Sequence, residues 1–256
     1  MDIRDILIYF SIKYSGNYDL IYEAIKNKRK VSPEECEKLI KTNKSGVITI
    51  LDEKYPDYFK SLAKPPLVLY YYGHKEFLYH PFRLSVIGTR KPSEYGTKIT
   101  EELITEILNK KDVVIVSGLA QGIDSISHRT ALKLKKKTIA VLANGIDTFY
   151  LKKEKELYNQ IKENGLIISE YPLSVNVEKE NFRVRNRLIA AISPNLLITE
   201  AKKHSGSSLT GYYALEQGKN ILCVPRNIDI DSLCNAYIQQ GAKLILCAND
   251  VLEEIN

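Results

Sequence analysis

Apolar positions in the first part of the chain recur with the period of a helix. Ile3, Leu7 and Phe10 lie three or four residues apart, and the same spacing returns around residues 20–25, which predicts amphipathic helices. Ser32 followed by a proline predicts the N-cap and first residue of one more helix. We therefore expect three short helices with little core of their own.

From about residue 46 the pattern changes to short apolar runs with helical patterns between the later ones. Several runs are apolar at nearly every position, as strands covered on both faces tend to be. The nine runs are Val47–Leu51, Leu67–Tyr72, Leu84–Gly88, Val113–Ser117, Thr138–Leu142, Leu166–Ser169, Leu196–Thr199, Ile221–Val224 and Leu244–Leu246.

The alternation of these runs with amphipathic segments predicts the class of fold. Strand–helix–strand units repeated along a chain are typical of a doubly wound sheet. The stretch Lys64–Pro66 ends in two prolines, which favour an extended connector before the second strand. We expect an α/β fold whose doubly wound, mostly parallel sheet is preceded by a small helical segment.

Glycines, hydroxyl residues and cations follow several of the predicted strands. In such sheets, ligands bind at the carboxyl ends of the strands, where glycines admit a ligand and helix N-termini offer N–H groups to an anion. Arginine adds planar recognition of phosphate. We therefore predict a phosphate-binding crevice. The segments that would meet there are Gly88–Lys91, Ser117–Asp124, Ala143–Gly145, Glu200–Ser208 and Pro225–Arg226.

The motifs exclude some kinds of phosphate ligand. The chain lacks the G-x-x-x-x-G-K-[ST] pattern of a nucleotide-binding P-loop. The turn at Gly118–Gly122 lacks the G-x-G-x-x-G spacing, and the next strand ends in Ala143-Asn144, where a dinucleotide site needs an acidic residue. We expect neither NAD nor another cofactor. Cations spread over several loops fit a repeated anion better.

Three arginines form a further basic cluster. Arg183, Arg185 and Arg187 directly precede the apolar residues of a predicted helix that runs to Ile192, so we expect them at its N-terminal end. A solvated cap is the simple explanation. Cations at a helix N-terminus oppose the helix dipole, and this misfit favours a functional role.

Two lysines follow an aromatic pair beyond another predicted strand. Lys152 and Lys153 come shortly after Phe149 and Tyr150. Alone they are typical of a surface, but beside aromatic rings they match single-strand binders, in which rings hold bases and cations hold the backbone.

Composition and charge limit the class of protein. The formal net charge of +6 permits nucleic-acid binding without establishing it. No apolar stretch is long enough to span a bilayer, and the charged N-terminus does not resemble a signal peptide, so we expect a cytoplasmic protein. The four cysteines are Cys36, Cys223, Cys234 and Cys247. They form no C-x-x-C pair, so we expect buried free thiols and no metal site.

Some residues would suit catalysis. Asp124 and His128 lie four residues apart and could exchange protons, although a turn or cap role for the carboxylate is commoner. Glu200 follows a strand and could act as a base, but pairing with an arginine is the commoner outcome. Ser205–Ser208 lacks the G-x-S-x-G elbow of a nucleophile and fits an anion cradle better.

Five short motifs follow one another in order. In chain order they are Thr49–Pro56 with Pro65–Tyr70, Val86–Arg90 with Tyr95-Gly96, Ser117–Asp124 with His128, Phe182–Ala190, and Ser205–Thr210. The fourth motif reads F-x-x-R-N-R-x-I-A. Over residues 46–254 these motifs resemble the DNA-processing protein A family, also called DprA or Smf.

The resemblance implies a fold, a function and partners. It implies a small helical, SAM-like segment (1–45) and an extended Rossmann-like domain (46–256). The domain would bind single-stranded DNA, dimerise and help to load the RecA recombinase during natural transformation, without catalysis, metal, cofactor or membrane attachment. The implied DNA-binding residues are Gly88, Thr89, Arg90, Lys91, Gly118, Lys152, Arg185, Asn186, Arg187, Lys202, Ser205, Gly206 and Ser207.

The chain departs from the family pattern at a few positions. Leu151 and Arg226 stand where the family usually has proline and glycine, and Arg226 adds a cation near the crevice. The alternative function is a Rossmann-like nucleoside-phosphate hydrolase of the lysine-decarboxylase-like family, whose P-G-G-x-G-T-x-x-E motif is absent. A protein-interaction scaffold is the third hypothesis, but it would not need cations at several strand ends.

Overall fold

The computed structural model describes residues 2–148 and 154–255, and all nine predicted strands occur within these ranges. The strands are β1 (Gly46–Thr49), β2 (Val68–Gly73), β3 (Arg83–Ile87), β4 (Val114–Ser117), β5 (Thr138–Val141), β6 (Leu166–Ser169), β7 (Asn195–Ile198), β8 (Asn220–Cys223) and β9 (Lys243–Leu244).

Helices precede and connect these strands. They are α1 (Ile3–Lys13), α2 (Tyr18–Lys26), α3 (Pro33–Ile40), α4 (Asp57–Lys60), α5 (Glu94–Lys110), α6 (Ile123–Lys133), α7 (Lys155–Asn164), α8 (Lys179–Ile192), α9 (Gly206–Glu216), α10 (Leu233–Gln239) and α11 (Ala248–Glu254). A short 3-10 helix spans Lys75–Tyr79. In the described part of the chain, no helix combines the length and apolar composition needed to cross a bilayer.

The strands form a single sheet in the order β1-β2-β6-β5-β4-β3-β7-β8-β9. The strands from β6 to β9 in this order are parallel, whereas β2 runs antiparallel to β6 and β1 antiparallel to β2. The predicted doubly wound, mostly parallel α/β sheet is confirmed. The strand order reverses between β3 and β7, where such sheets open a ligand crevice.

Helices cover both faces of the sheet, which explains why its central strands are apolar on both sides. On one face, α4, α8, α9 and α10 pack on side chains such as Val116 and Ile139. On the other face, α5, α6 and α11 pack on Ile115 and its neighbours. Helices α1, α2, α3 and α7 cover the part of that face nearest β2.

The N-terminal helices share their core with the sheet. Phe10 and Ile21 belong to the same apolar cluster as Val68, Tyr70 and Leu142. As expected, the segment therefore has little core of its own. A domain boundary between it and residues 46–256 remains a proposal. The Tyr70 hydroxyl donates a buried hydrogen bond of 2.9 Å to the Ser11 hydroxyl.

The prediction for the cysteines is correct for three of the four. Cys36, Cys223 and Cys234 are buried free thiols, but Cys247 is exposed. Leu244–Leu246 forms the edge of the sheet, and of this run only Ile245 is buried. Cys247 lies beyond that edge as the N-cap of α11, where its N–H donates to Asp250.

A buried histidine connects α6 to β5. The Thr138 hydroxyl donates to the Ile115 carbonyl, so it accepts from His128 Nδ1 at 2.7 Å. Burial, together with a smaller effect of the nearby Arg185 cation, lowers the pKa of His128 to about 3. The imidazole is therefore neutral in the folded protein at neutral pH.

We expect Tyr70→Phe to lower the free energy of unfolding by about 1–2 kcal/mol, because the Ser11 hydroxyl is left without its buried partner. Chemical denaturation followed by circular dichroism measures the change. Tyr79→Phe is the matched control, since its hydroxyl bond to Lys54 is exposed. Equal losses in the two variants would contradict this account.

We expect His128 to make stability fall with acid. An unfolded histidine protonates near pH 6.5, whereas His128 stays neutral in the fold until about pH 3, so the unfolded state alone binds a proton between these values. Relative to His128→Asn, the wild type should lose about 1.4 kcal/mol per pH unit from about pH 6 to pH 4. Unfolding free energies measured across that range test this, and parallel curves would rule it out. Carboxylates that titrate equally in both proteins cancel in the difference.

Candidate functional site

A crevice opens at the carboxyl ends of β3 and β7, where the strand order reverses. It has a volume of about 440 Å³. A smaller pocket of about 120 Å³ adjoins it beside β4 and β5. Arg90, Ala120, Phe182 and Arg185 line both cavities.

The loop after β3 forms one wall of the crevice and is held by backbone contacts. Thr89 N–H donates to the Glu200 carbonyl at 2.7 Å, and the Ser207 hydroxyl donates to the Gly88 carbonyl at 2.9 Å. A Cβ on Gly88 would lie 2.8 Å from the Glu200 carbonyl oxygen, so this approach requires glycine. The loop after β3 is thereby fixed against the loop after β7.

Arg90 presents an exposed guanidinium at the mouth of the crevice. Its guanidinium carbon lies 5.2 Å from the centre of the Phe182 ring, a cation–π contact. Among the described residues, no carboxylate lies within 4 Å of it. Lys91 is also exposed beside it, and its N–H donates to the Thr89 hydroxyl. The positive charge of Arg90 is therefore available to an anion.

Arg185 forms the floor between the two cavities. It is buried, and its Nη1 donates to the carbonyl oxygens of Gly118, at 2.6 Å, and Val141. Burial lowers its pKa to about 10, and the Asp124 carboxylate opposes that shift, so it remains a cation at neutral pH. A Cβ on Gly118 would lie 2.4 Å from Arg185 Nη1, which explains the glycine.

Helix α9 supplies the opposite wall. Ser205 is its N-cap, and Gly206 and Ser207 form its first turn. N–H groups in the first turn of a helix have no intrahelical acceptor and can bind an anion. The Asn186 amide spans the gap from α8 by donating to the Gly206 carbonyl at 3.3 Å.

The remaining predicted residues lie elsewhere. Lys202 is exposed on the loop after β7, outside the lining of the crevice. Arg187 pairs with Glu170 at 2.6 Å and lines a different cleft, beside the N-terminal helices. Lys152 lies outside the described residues. DNA contacts by these three residues stay predictions.

The prediction that the arginines project from a helix N-terminus is wrong. Helix α8 begins at Lys179, so Arg183, Arg185 and Arg187 lie in its middle and point in different directions. The stretch before Arg183 has few apolar residues, so the hydrophobic pattern gave no sign that the helix begins at Lys179. The helix dipole therefore gives no argument for their function.

Two candidate catalytic groups make structural hydrogen bonds instead. Asp124 accepts from the N–H groups of Gly118 and Ala120 at 3.2 and 3.3 Å, and burial raises its pKa although Arg185 opposes the shift. His128 bonds to Thr138 rather than to Asp124. The turn and structural roles expected for this pair agree with these contacts.

Glu200 is held in an ion pair. Its Oε2 accepts from Arg226 at 3.0 Å and from the Ser93 hydroxyl at 2.8 Å, and the Arg226 guanidinium lies 4.8 Å from the Tyr95 ring. A Cβ on Gly96 would lie 1.8 Å from that oxygen. The expected pairing with an arginine is confirmed, and the charge of Arg226 is used there.

The sequence indicated aromatic rings for bases at Phe149 and Tyr150, which lie outside the described residues, and gave Phe182 no such role. The Phe182 ring lies below Arg90 and 5.8 Å from the guanidinium carbon of Arg185. Leu119, Leu142 and Tyr158 line the smaller pocket. The only signal was the phenylalanine at the start of the F-x-x-R-N-R motif.

Known proteins resemble the chain in sequence. The model of the family described as DNA recombination-mediator protein A matches residues 46–256. The DNA processing protein DprA of Bacillus subtilis is 37% identical over 217 residues, which cover 82% of this chain and 71% of that protein. DprA of Streptococcus pneumoniae is 39% identical over 209 residues, covering 80% and 73%.

Solved structures agree with this. The crystal structure of DprA from Streptococcus pneumoniae matches with a TM-score of 0.81 at 32% identity, covering 98% of this chain and 93% of that one. DprA from Helicobacter pylori, described with its single-stranded DNA binding mode, matches with a TM-score of 0.75 at 31% identity, covering 83% and 99%. The family model, the sequence identities and the matching folds lead to one conclusion: the chain belongs to the DNA recombination-mediator protein A family, whose members include DprA and Smf.

Proposed function

We propose that the crevice binds single-stranded DNA. The observation that carries this proposal is the exposed guanidinium of Arg90, which pairs with no carboxylate of the described ranges and lies over the Phe182 ring between two cavities. The first turn of α9 offers N–H groups to a phosphate, and Arg185 adds a second positive charge. The smaller pocket is lined in part by Leu119, Leu142 and Phe182 and suits one unstacked base.

This arrangement supports single strands over duplexes. Sequence-independent single-strand binders combine cations along the backbone with aromatic faces for bases. A pocket that accepts one base edge-on requires that base to leave its pair. The Helicobacter pylori relative, whose structure is described with single-stranded DNA, supports the same ligand here.

The site supports binding without catalysis. Glu200 is held by Arg226 and Asp124 by backbone N–H groups, so neither carboxylate is placed to act as a general base. This disfavours the nucleoside-phosphate hydrolase that the fold alone would permit.

Family membership supports the finer roles. We propose that the protein acts in the cytoplasm as a homodimer that protects incoming single strands and helps to load RecA during recombination or natural transformation. The edge strand β9 supports a dimer, because Leu244 and Leu246 are exposed beside an unpaired sheet edge.

We expect Arg90→Ala to weaken binding of labelled oligothymidylate by roughly tenfold at low salt and to reduce the log–log salt slope by about 0.7, the value of one single-strand phosphate contact. Fluorescence anisotropy over a salt series measures both, with duplex DNA as the competitor. Arg29→Ala removes the same charge from the loop after α2 and should behave as wild type. Unchanged binding by Arg90→Ala, or equal competition by duplex, would overturn the proposal.

We expect the double substitution Leu244→Lys, Leu246→Lys to convert a dimer into monomers, because two ammonium groups on the edge would have to be desolvated at the interface. Light scattering after size exclusion measures the mass. Ile3→Lys is the control, since Ile3 is equally exposed on the N-terminal helices. A wild-type monomer, or a variant that stays dimeric, would contradict the assignment to β9.

A further inference from the structure

A second cationic cleft lies between α6 and α7, away from the crevice. It has a volume of about 740 Å³. Its cations are Arg129, Lys133, Lys135 and Lys136, and α7 adds the amides of Gln160 and Asn164. Among the described residues no acidic side chain lines it, so its surface favours an anion.

Helix α6 joins this cleft to the DNA site. The helix begins at Ile123, whose N–H donates to the Thr89 carbonyl in the wall of the crevice. It ends at Lys133 after 11 residues, about 16 Å further on. Arg129 and Lys133 are spaced i, i+4, which places them on one side of the helix, and Lys135 and Lys136 follow in the turn beyond its end. Cations thus lead from the crevice toward the opposite end of the sheet.

A contact also connects the two cavities. Glu154 lines the small pocket beside the crevice and accepts from Arg129 Nη2 at 2.8 Å. The charge of Arg129 is therefore partly used. A strand leaving the small pocket would pass this ion pair and meet the three lysines next.

The three lysines retain their charge for a ligand. Among the described residues, no carboxylate lies within 4 Å of Lys133, Lys135 or Lys136, whereas nearby Lys110 and Lys137 pair with Glu106 and Asp112. Lys135 also has a φ of +55°, a conformation at the end of a helix that favours glycine. A lysine at this position is less stable than a glycine would be, and its exposed side chain places a cation at the surface.

Helix dipoles offer a simpler explanation. Cations near the last turn of α6 stabilise its C-terminus whether or not a ligand binds. Helix α2 ends in the same way, with Lys26 in its last turn and Lys28 at a φ of +47°. That second helix end, which lies outside the cleft, allows the two explanations to be separated.

We propose that the cleft between α6 and α7 is a second phosphate-binding site that continues the path of single-stranded DNA beyond the crevice. The inference rests on the proposed function of the crevice. The expected ligand is the phosphodiester backbone, since the described lining of the cleft offers cations and amides and contains no aromatic ring for a base. The site would lengthen the bound strand and add phosphate contacts.

The test compares oligothymidylates of roughly 5 and roughly 20 nucleotides, lengths that bracket the sites of single-strand binders. The variant is Lys133→Gln, Lys135→Gln, and its matched control is Lys26→Gln, Lys28→Gln, which changes the same charge at the same two positions of a helix end. Fluorescence anisotropy across a salt series gives affinity and slope for the full chain.

For the long oligonucleotide, we expect the cleft variant to bind roughly tenfold more weakly at low salt and to lose about 1.4 from its salt slope, the value of two phosphate contacts. The short oligonucleotide should bind to the variant as to wild type, and the control should match wild type with both.

The outcomes separate this inference from the function of the crevice. If Arg90→Ala weakens binding but the cleft variant binds the long strand as wild type does, the crevice is the DNA site and the cleft is not. Equal losses in the cleft variant and the α2 control would reduce the effect to net charge and overturn the proposal. If wild type binds neither strand, the function proposed for the crevice itself fails.

Discussion

The buried guanidinium of Arg185 is the interaction on which the crevice depends. It donates to the carbonyl oxygens at the ends of β4 and β5 and lies close to Asp124. Removing a cation from water costs several kcal/mol unless partners replace the lost hydration, and here two carbonyls and a carboxylate do so. The helix α8 is thereby locked to the carboxyl edge of the sheet, and the loop at Gly118 closes over the side chain that organises it.

The partners of the other charged groups near the crevice explain which of these groups remain for a ligand. Asp124 accepts hydrogen bonds from backbone N–H groups, and Glu200 forms an ion pair with Arg226. Arg90 faces solvent without a carboxylate nearby in the described ranges, and only an aromatic ring supports it. In the described ranges these carboxylates are engaged and the exposed arginine is not, which leaves a positive charge facing solvent at the mouth of the crevice.

Helix α6 runs from the wall of the crevice to the second cationic cleft. Its first turn is part of the wall behind Thr89, its middle anchors His128 on β5, and its end presents lysines to the cleft with α7. One element therefore connects the crevice, the core and a second positive surface. The helix packs on α5 and the sheet, so the start of its cationic end is held in place relative to the crevice.

The amino-acid sequence alone indicated the strands, the doubly wound fold and the glycine-rich edge, most clearly for the central strands, because a strand buried on both faces must be apolar at nearly every position. It also indicated Arg90, which lies directly after such a strand. Only the tertiary structure decided the roles of Arg185 and Arg187, two residues apart on α8 but directed toward Gly118 and Glu170. The Phe182 ring under Arg90 and the exposure of Cys247 were decided in the same way. Local spacing governs which residues share a face, whereas the partner of a charge is set by elements brought together from distant parts of the chain.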